Sequence, residues 1–219
     1  MNRISRIQMN ELLRLYFIMG SNNCKIAPQA VLEQAIKGGI TLFQFREKGS
    51  GSFTGDEKVL LAKQLQAICK NYSIPFIVND DVELALALNA DGVHIGQDDA
   101  SAMEVRQKIG NRILGVSAHN LEEIEKAIVD GADYAGIGPI YTTKTKEDAN
   151  TAQGTTLIKE IREKGIDLPI VGIGGITSEN AAPVINSGGN GVSVISAISL
   201  AENPTERASE LRAIVDQLI

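Results

Sequence analysis

Tryptophan is absent from this 219-residue chain, and histidine and cysteine occur only twice each. Cys24 and Cys69 have no metal-ligand spacing, so no zinc-type ligand set can be assembled from them. Both read as reduced thiols, and Cys69 falls on an apolar helical stripe, where a buried structural role is expected. Neither His94 nor His119 has an acid or Ser/Cys partner that would make a hydrolytic triad obvious in the sequence. His94 reads as a hydrogen-bonding or packing residue, and His119 as a helix-start or rim residue. Arg3, Arg6 and Arg14 accompany no apolar signal-type run, and no stretch is long enough to cross a bilayer, so a cytoplasmic protein is expected. Excess positive charge is lacking too. The net charge of −6 disfavours nucleic acid and anionic membranes as partners, and an anionic ligand would have to be held by local cations. Low-complexity segments, linkers and a second domain are not visible.

What is present is an ordinary globular composition, 43% hydrophobic and 22% charged, in a length that suits one α/β barrel. Short β-rich runs are predicted at Leu15–Met19, Leu42–Lys48, Phe76–Asn79, Gly92–Ile95, Ile113–Ser117, Tyr134–Gly138, Ile170–Ile173 and Gly191–Ile195. Between them lie helical stripes: Leu61, Leu65, Ile68 and Tyr72; Leu121, Ile124 and Ile128; and last Ala208, Leu211, Ile214 and Leu218. Gly38-Gly39-Ile40, Asn89-Ala90-Asp91, Gly131-Ala132-Asp133 and Gly188-Gly189-Asn190 form a degenerate repeat, each ending a helix and leading into a strand. Eight such alternations imply parallel pairing and an α/β fold, a (β/α)₈ TIM barrel in a single domain over residues 1–219. An open doubly wound sheet is the alternative. Residues Met1–Glu11 are expected to form a short N-terminal helix or arm closing the lower end.

In such a barrel chemistry sits where strands end. In Leu42–Lys48 the alternation of faces puts Phe43 and Phe45 under the helices and aims Gln44, Arg46 and Lys48 at the lumen, where two cations call for an anion. An edge strand with a solvated charged face would read the same way in isolation. Asp80 and Asp99 follow neighbouring strands, about 4.8 Å apart, so their carboxylates can share a hard cation such as Mg²⁺. Either Asp80 or Asp81 is expected to cap the next helix instead, and Asp98 and Asp99 share that ambiguity. The turn Gly172-Ile173-Gly174-Gly175 and the end of strand eight, Ile195-Ser196, form a second anion candidate. Residues Thr142–Gln153 are polar and lack periodicity, which predicts an active-site lid, with Lys146 closing over an anion and Lys144 solvated.

Several blocks in fixed order carry a specific resemblance: Tyr16-Phe17-Ile18-Met19-Gly20, Gln44-Phe45-Arg46-Glu47-Lys48-Gly49, Pro75-Phe76-Ile77-Val78-Asn79-Asp80, Asp91-Gly92-Val93-His94-Ile95-Gly96-Gln97-Asp98-Asp99, Gly115-Val116-Ser117-Ala118-His119, Thr143-Lys144-Thr145-Lys146, Val171-Gly172-Ile173-Gly174-Gly175-Ile176 and Gly191-Val192-Ser193-Val194-Ile195-Ser196-Ala197-Ile198. Over nearly its whole length the chain resembles the thiamine-phosphate synthase family, also called thiamine phosphate pyrophosphorylases. The resemblance implies a TIM-barrel transferase with Mg²⁺ as cofactor and small-molecule substrates as partners. It would join a hydroxymethylpyrimidine diphosphate to a thiazole phosphate, or to its carboxylate form, and release pyrophosphate. It also implies that Gln44, Arg46, Lys48 and Asn79 hold the pyrimidine diphosphate with Ser117 and Lys146, and that Asp80 and Asp99 ligate the metal. Thr143, Thr145, Gly175, Ile195 and Ser196 would line the thiazole-phosphate site. The substrate-binding runs as wholes take in Phe45, Glu47 and Lys144 as well. The catalytic set is Arg46, Lys48, Lys146 and Ser117, with no enzyme nucleophile.

Two departures from the family pattern stand out: Thr142 in place of the usual Pro, and Gly189-Asn190 in place of Ala-Asp. The competing readings are a thiazole tautomerase and a non-catalytic ligand-binding barrel of the same superfamily. A tautomerase would not need Arg46, Lys48, Asp80, Asp99 and Lys146 together. Oligomeric state is left open by the sequence, with a homo-oligomer among the alternatives.

Overall fold

A computed structural model of the chain describes residues 3–143 and 152–219. Eight strands, β1 (Leu15–Met19), β2 (Leu42–Phe45), β3 (Phe76–Asn79), β4 (Gly92–Ile95), β5 (Ile113–Ala118), β6 (Tyr134–Ile137), β7 (Ile170–Ile173) and β8 (Gly191–Val194), pair in chain order and all in parallel, β8 closing on β1. The helices are α1 (Arg6–Leu13), α2 (Pro28–Lys37), α3 (Gly55–Asn71), α4 (Val82–Ala87), α5 (Ala102–Ile109), α6 (Leu121–Val129), α7 (Thr156–Glu163), α8 (Ala182–Asn186), α9 (Ser196–Ser199) and α10 (Pro204–Leu218). The architecture is a (β/α)₈ barrel, as the alternation of elements predicts.

Side-chain alternation divides the core into two layers. Outward residues of the strands, among them Leu15, Phe17, Met19, Phe43 and Phe45, join the helices in the larger cluster. Phe17, Phe43 and Phe76 form a row of rings with centroids 5.8 Å apart, and Phe45 stacks on Phe76 at 6.2 Å. Inward residues make a second cluster of Tyr16, Ile18, Leu42, Ile77, Tyr134 and Val171, into which α1 inserts Met9 and Leu13 from below. Two helical stripes sit slightly differently from the sequence expectation. Tyr72 lies past the end of α3 and is exposed, and α6 buries Ile124 and Ala127 while Ile128 faces out. Which edge of an apolar stripe is covered depends on how the helix packs on its neighbours, a tertiary matter that spacing alone does not fix.

The repeated helix-to-strand link has a physical role. The residue just before an even-numbered strand accepts a hydrogen bond from the opening of the preceding strand. Thr41 Oγ1 takes Leu15 N–H at 2.9 Å, Asp91 Oδ2 takes Phe76 N–H at 2.8 Å, Asp133 Oδ2 takes Leu114 N–H at 2.8 Å, and Asn190 Oδ1 takes Ile170 N–H at 2.8 Å. Four strand pairs are thereby stapled at the lower rim, where strand-opening amides would otherwise lack partners. Asn190 needs only its amide oxygen for this, so its replacement of Asp keeps the staple, and Arg162 donates to the same oxygen at 2.8 Å. Asp133 is buried and also receives Arg3 at 2.7 Å and Arg106 at 2.6 Å. Removing it strands a buried amide and takes the carboxylate partner from two guanidinium groups, which keep their bonds to backbone carbonyls. Asp133→Ala is therefore expected to lower unfolding free energy by about 3 kcal/mol in urea denaturation, and a loss below about 1 kcal/mol would deny the staple this weight.

Candidate active site

The C-terminal ends of the strands surround a cleft of about 920 Å³. Arg46, Lys48, Asn79, Asp80, Asp99, Ser117, Thr143, Gly175, Ile195 and Ser196 all line it, so the structure brings together most of the residues singled out in the sequence.

β2 stops at Phe45, three residues short of the predicted end, and the Arg46 amide, bonded to the Met19 carbonyl at 2.9 Å, is the last rung of the β1–β2 ladder. Arg46 itself is 7% exposed and takes part in no ion pair among the described residues. Beyond the strand Lys48 reaches Asp80 at 2.8 Å. Two residues of this run do not enter the cleft. Phe45 is buried in the outer layer, as its strand phase requires. Glu47 ties two loops together, accepting from Ser21 N–H at 2.8 Å, from Phe53 N–H at 2.6 Å and from the Ser21 hydroxyl. A carboxylate with three donors of its own is engaged as a loop staple.

The Asp80/Asp81 ambiguity resolves through the backbone. Asp81 caps α4, accepting from Leu84 N–H at 2.9 Å, and pairs with Lys58 at 2.7 Å. Asp80 adopts φ +60°, a left-handed conformation that Asp tolerates better than most residues, and its side chain faces the cleft. Asp99 accepts from Gly96 N–H at 2.7 Å and is hydrogen-bonded to Asp80. Burial, with the neighbouring Asp99, pushes the Asp80 carboxyl above the usual carboxylate range despite Lys48. Burial also opposes ionisation of Asp99, but hydrogen bonds from Asp80 and the Gly96 amide, with the Lys48 charge, hold it below that range. Hydrogen bonding to Asp80 raises Lys48. The two carboxyls are thus pushed apart in acidity, with the Lys48 ammonium beside them. Among the described residues no cluster of three or more His, Cys, Asp or Glu is placed to hold a metal ion, so a metal here would rest on this pair and on ligand oxygens.

On the opposite wall Gly175 has φ +65°, and a Cβ there would meet the Thr142 carbonyl oxygen at 2.7 Å. Only glycine lets the β7 turn lie against the β6 loop. Ile195 and Ser196 follow β8, and Thr142, the departure from the family pattern, is exposed beside Thr143. Lys144, Thr145 and Lys146 lie outside the described residues, as does most of the expected lid over Thr142–Gln153. His119 is held at its helix start by Glu123, which accepts both its backbone N–H, at 2.7 Å, and a bond from its ring at 3.0 Å.

Beneath the cleft lies a polar floor that the sequence reading missed in part. Gln44, 1% exposed, donates through Nε2 to Tyr16 Oη at 2.6 Å. Tyr16 Oη meets Tyr134 Oη at 2.7 Å, Tyr134 Oη meets His94 Nδ1 at 2.9 Å, and His94 Nε2 meets Ser117 Oγ at 3.0 Å. The signal was available: Tyr16 and Tyr134 occupy inward strand positions, and a buried tyrosine hydroxyl needs a partner. Desolvation raises both phenols well above their ordinary range, so each keeps its proton. Burial likewise raises the Cys24 thiol, to about 12, and that of Cys69.

The class is therefore an α/β barrel with a cleft of mixed charge at the catalytic end of its strands. The chain belongs to the thiamine monophosphate synthase family, whose model matches residues 15–198. It is 63% identical over 208 residues to the thiamine-phosphate synthase of Bacillus velezensis, covering 95% of this chain and 93% of that protein. It is 60% identical over 211 residues to that of Bacillus thuringiensis, covering 96% of each. Among solved structures, the thiamine phosphate pyrophosphorylase of Pyrococcus furiosus superposes with a TM-score of 0.86 at 33% identity, covering 96% of this chain and 99% of that one. Among the described residues no helix is long and apolar enough to cross a membrane.

The floor yields a direct test. A Cβ on Gly115 would lie 2.1 Å from Tyr134 Cζ and 2.5 Å from His94 Nδ1, so glycine is what allows the two rings to meet. Gly115→Ala is expected to cost about 3 kcal/mol through overpacking and to change the near-ultraviolet tyrosine circular dichroism. Unchanged stability and spectrum would mean the rings are not packed as described.

Proposed function

We propose that the chain condenses a hydroxymethylpyrimidine diphosphate with a thiazole phosphate to give thiamine phosphate and pyrophosphate. The observation that carries this reading is the convergence of a buried guanidinium, a lysine and a carboxyl pair at the catalytic rim of a barrel of this family. Buried Arg46, with no carboxylate partner among the described residues, calls for an anion, and Lys48 stands beside it. Asp80 and Asp99 offer only oxygen donors, which suits Mg²⁺, bound by one or two carboxylates plus substrate phosphate oxygens. When bound, that ion would neutralise charge on the diphosphate.

The C–O bond between the pyrimidine methylene and the diphosphate breaks, and its electron pair leaves with pyrophosphate. The methylene cation, stabilised by the ring amino group, is captured by the lone pair of the thiazole nitrogen. No proton transfer and no enzyme nucleophile are required. Arg46 and Lys48 stabilise the departing charge, and Asn79 and Ser117 orient the diphosphate. Gly175, Thr143, Ile195 and Ser196 hold the thiazole phosphate, the first by letting backbone amides approach. Lys146 and Thr145, in the run that also contains Lys144, complete the anion sites, and the segment Thr142–Gln153 shields the cation from water. On this reading the two substrates are the partners, and the enzyme works in the cytoplasm.

Pyrophosphate release is expected only with both substrates and Mg²⁺ present, and chelation should abolish it. Lys48→Met and Lys146→Ala should each lower kcat about 100-fold, the scale of one removed charge-stabilising donor. Release without the thiazole phosphate, or rearranged thiazole phosphate as the sole product, would sink the assignment.

A further inference from the structure

The lumen floor joins Gln44 on β2 to Ser117 on β5 through three side chains that neither loop supplies. We propose that Tyr16, Tyr134 and His94 are positioning residues that transmit the orientation of the Gln44 carboxamide to Ser117 and so direct the Ser117 hydroxyl proton into the cleft. The proposal rests on the synthase reading for what that proton meets, an oxygen of the departing diphosphate.

Direction follows from the inventory of donors. Gln44 donates to Tyr16, whose oxygen is thereby used as an acceptor. Tyr16 then gives its own proton to Tyr134, and Tyr134 gives its proton to His94 Nδ1. An imidazole accepting at Nδ1 carries its proton on Nε2 when neutral, and that N–H points at Ser117 Oγ. A serine oxygen accepting from the ring keeps its own hydrogen for another partner, and Ser117 lines the cleft. Reversing the Gln44 amide would reverse every arrow and present a Ser117 lone pair, which would repel a diphosphate oxygen.

The barrel is shaped to keep this chain intact. Gly115 leaves no Cβ between Tyr134 and His94, and a Cβ on Gly136 would come within 3.3 Å of His94 Cε1. The Tyr16 and Tyr134 rings lock edge to face at 5.8 Å, and both are fully buried. Hydroxyls so placed have no water to satisfy them and must serve one another. Chains of this kind reinforce their own polarity in a low-dielectric interior.

Two readouts test the idea on the intact protein. In ¹⁵N-edited spectra, His94 should show the neutral Nε2–H tautomer, and finding the Nδ1–H form would overturn the proposed polarity. In steady-state kinetics, Tyr134→Phe keeps the ring in place and should lower kcat about ten-fold, the worth of one misdirected hydrogen bond, with KM for the thiazole phosphate within two-fold. Because Tyr134 acts through Ser117, Tyr134→Phe combined with Ser117→Ala should be no slower than Ser117→Ala alone. Multiplying losses, or wild-type kcat in Tyr134→Phe, would overturn the relay. Absence of pyrophosphate release from the wild type would instead strike the synthase reading and this inference with it, even with the Nε2–H tautomer present.

Discussion

In a closed parallel barrel every strand residue must choose between the helical coat and the lumen, and neighbours in sequence cannot choose alike. The short β2 strand shows how much depends on that constraint. Phe43 and Phe45 take the outer layer, where rings from β1, β2 and β3 pack under the helices. Leu42 and Gln44 are thereby forced inward, and Gln44 becomes the start of the lumen hydrogen-bond chain. Shifting β2 by one residue would exchange the aromatic layer with the polar floor and lose both.

Above that floor the rim is built where the strands run out. The Arg46 amide closes the β1–β2 ladder on the Met19 carbonyl, and Asp80 turns through a left-handed conformation. A guanidinium, an ammonium and a carboxyl pair meet there around one cleft. The electrostatics are poised rather than neutralised: burial and Asp99 raise the Asp80 carboxyl, while Lys48 pulls it toward ionisation. A cation and a polyphosphate together suit such a site better than either alone. The lower rim is different in kind. There the polar residues, Thr41, Asp91, Asp133 and Asn190, are consumed by strand-opening amides, which leaves that face to stability.

The order of elements was legible in the sequence because eight short β-rich runs recur with helical stripes and Gly- or Asn-ended links between them. The paired cations and carboxylates were legible because strand ends mark the catalytic rim. What periodicity could not resolve were matters decided by single backbone turns. β2 ends at Phe45, where its pairing with β1 and β3 stops, and beyond that point Glu47 is bonded to two loops. Which of Asp80 and Asp81 faces inward depends on one φ angle. Tyr16 and Tyr134 passed as apolar strand residues, since their partners lie on strands far away in sequence. Asn190 looked like a departure, yet the staple needs only an oxygen acceptor, which Asn and Asp share.

The central claim is that the cations and the carboxyl pair at the rim form one site for a metal-bound diphosphate. Calorimetric titration of pyrophosphate into the protein tests it most directly, with and without Mg²⁺, for wild type and for a variant carrying Asp80→Asn and Asp99→Asn. The account predicts one saturable site with Mg²⁺, weakened at least about ten-fold without the ion or in the variant. Equal affinity with and without Mg²⁺, and in the variant, would contradict it.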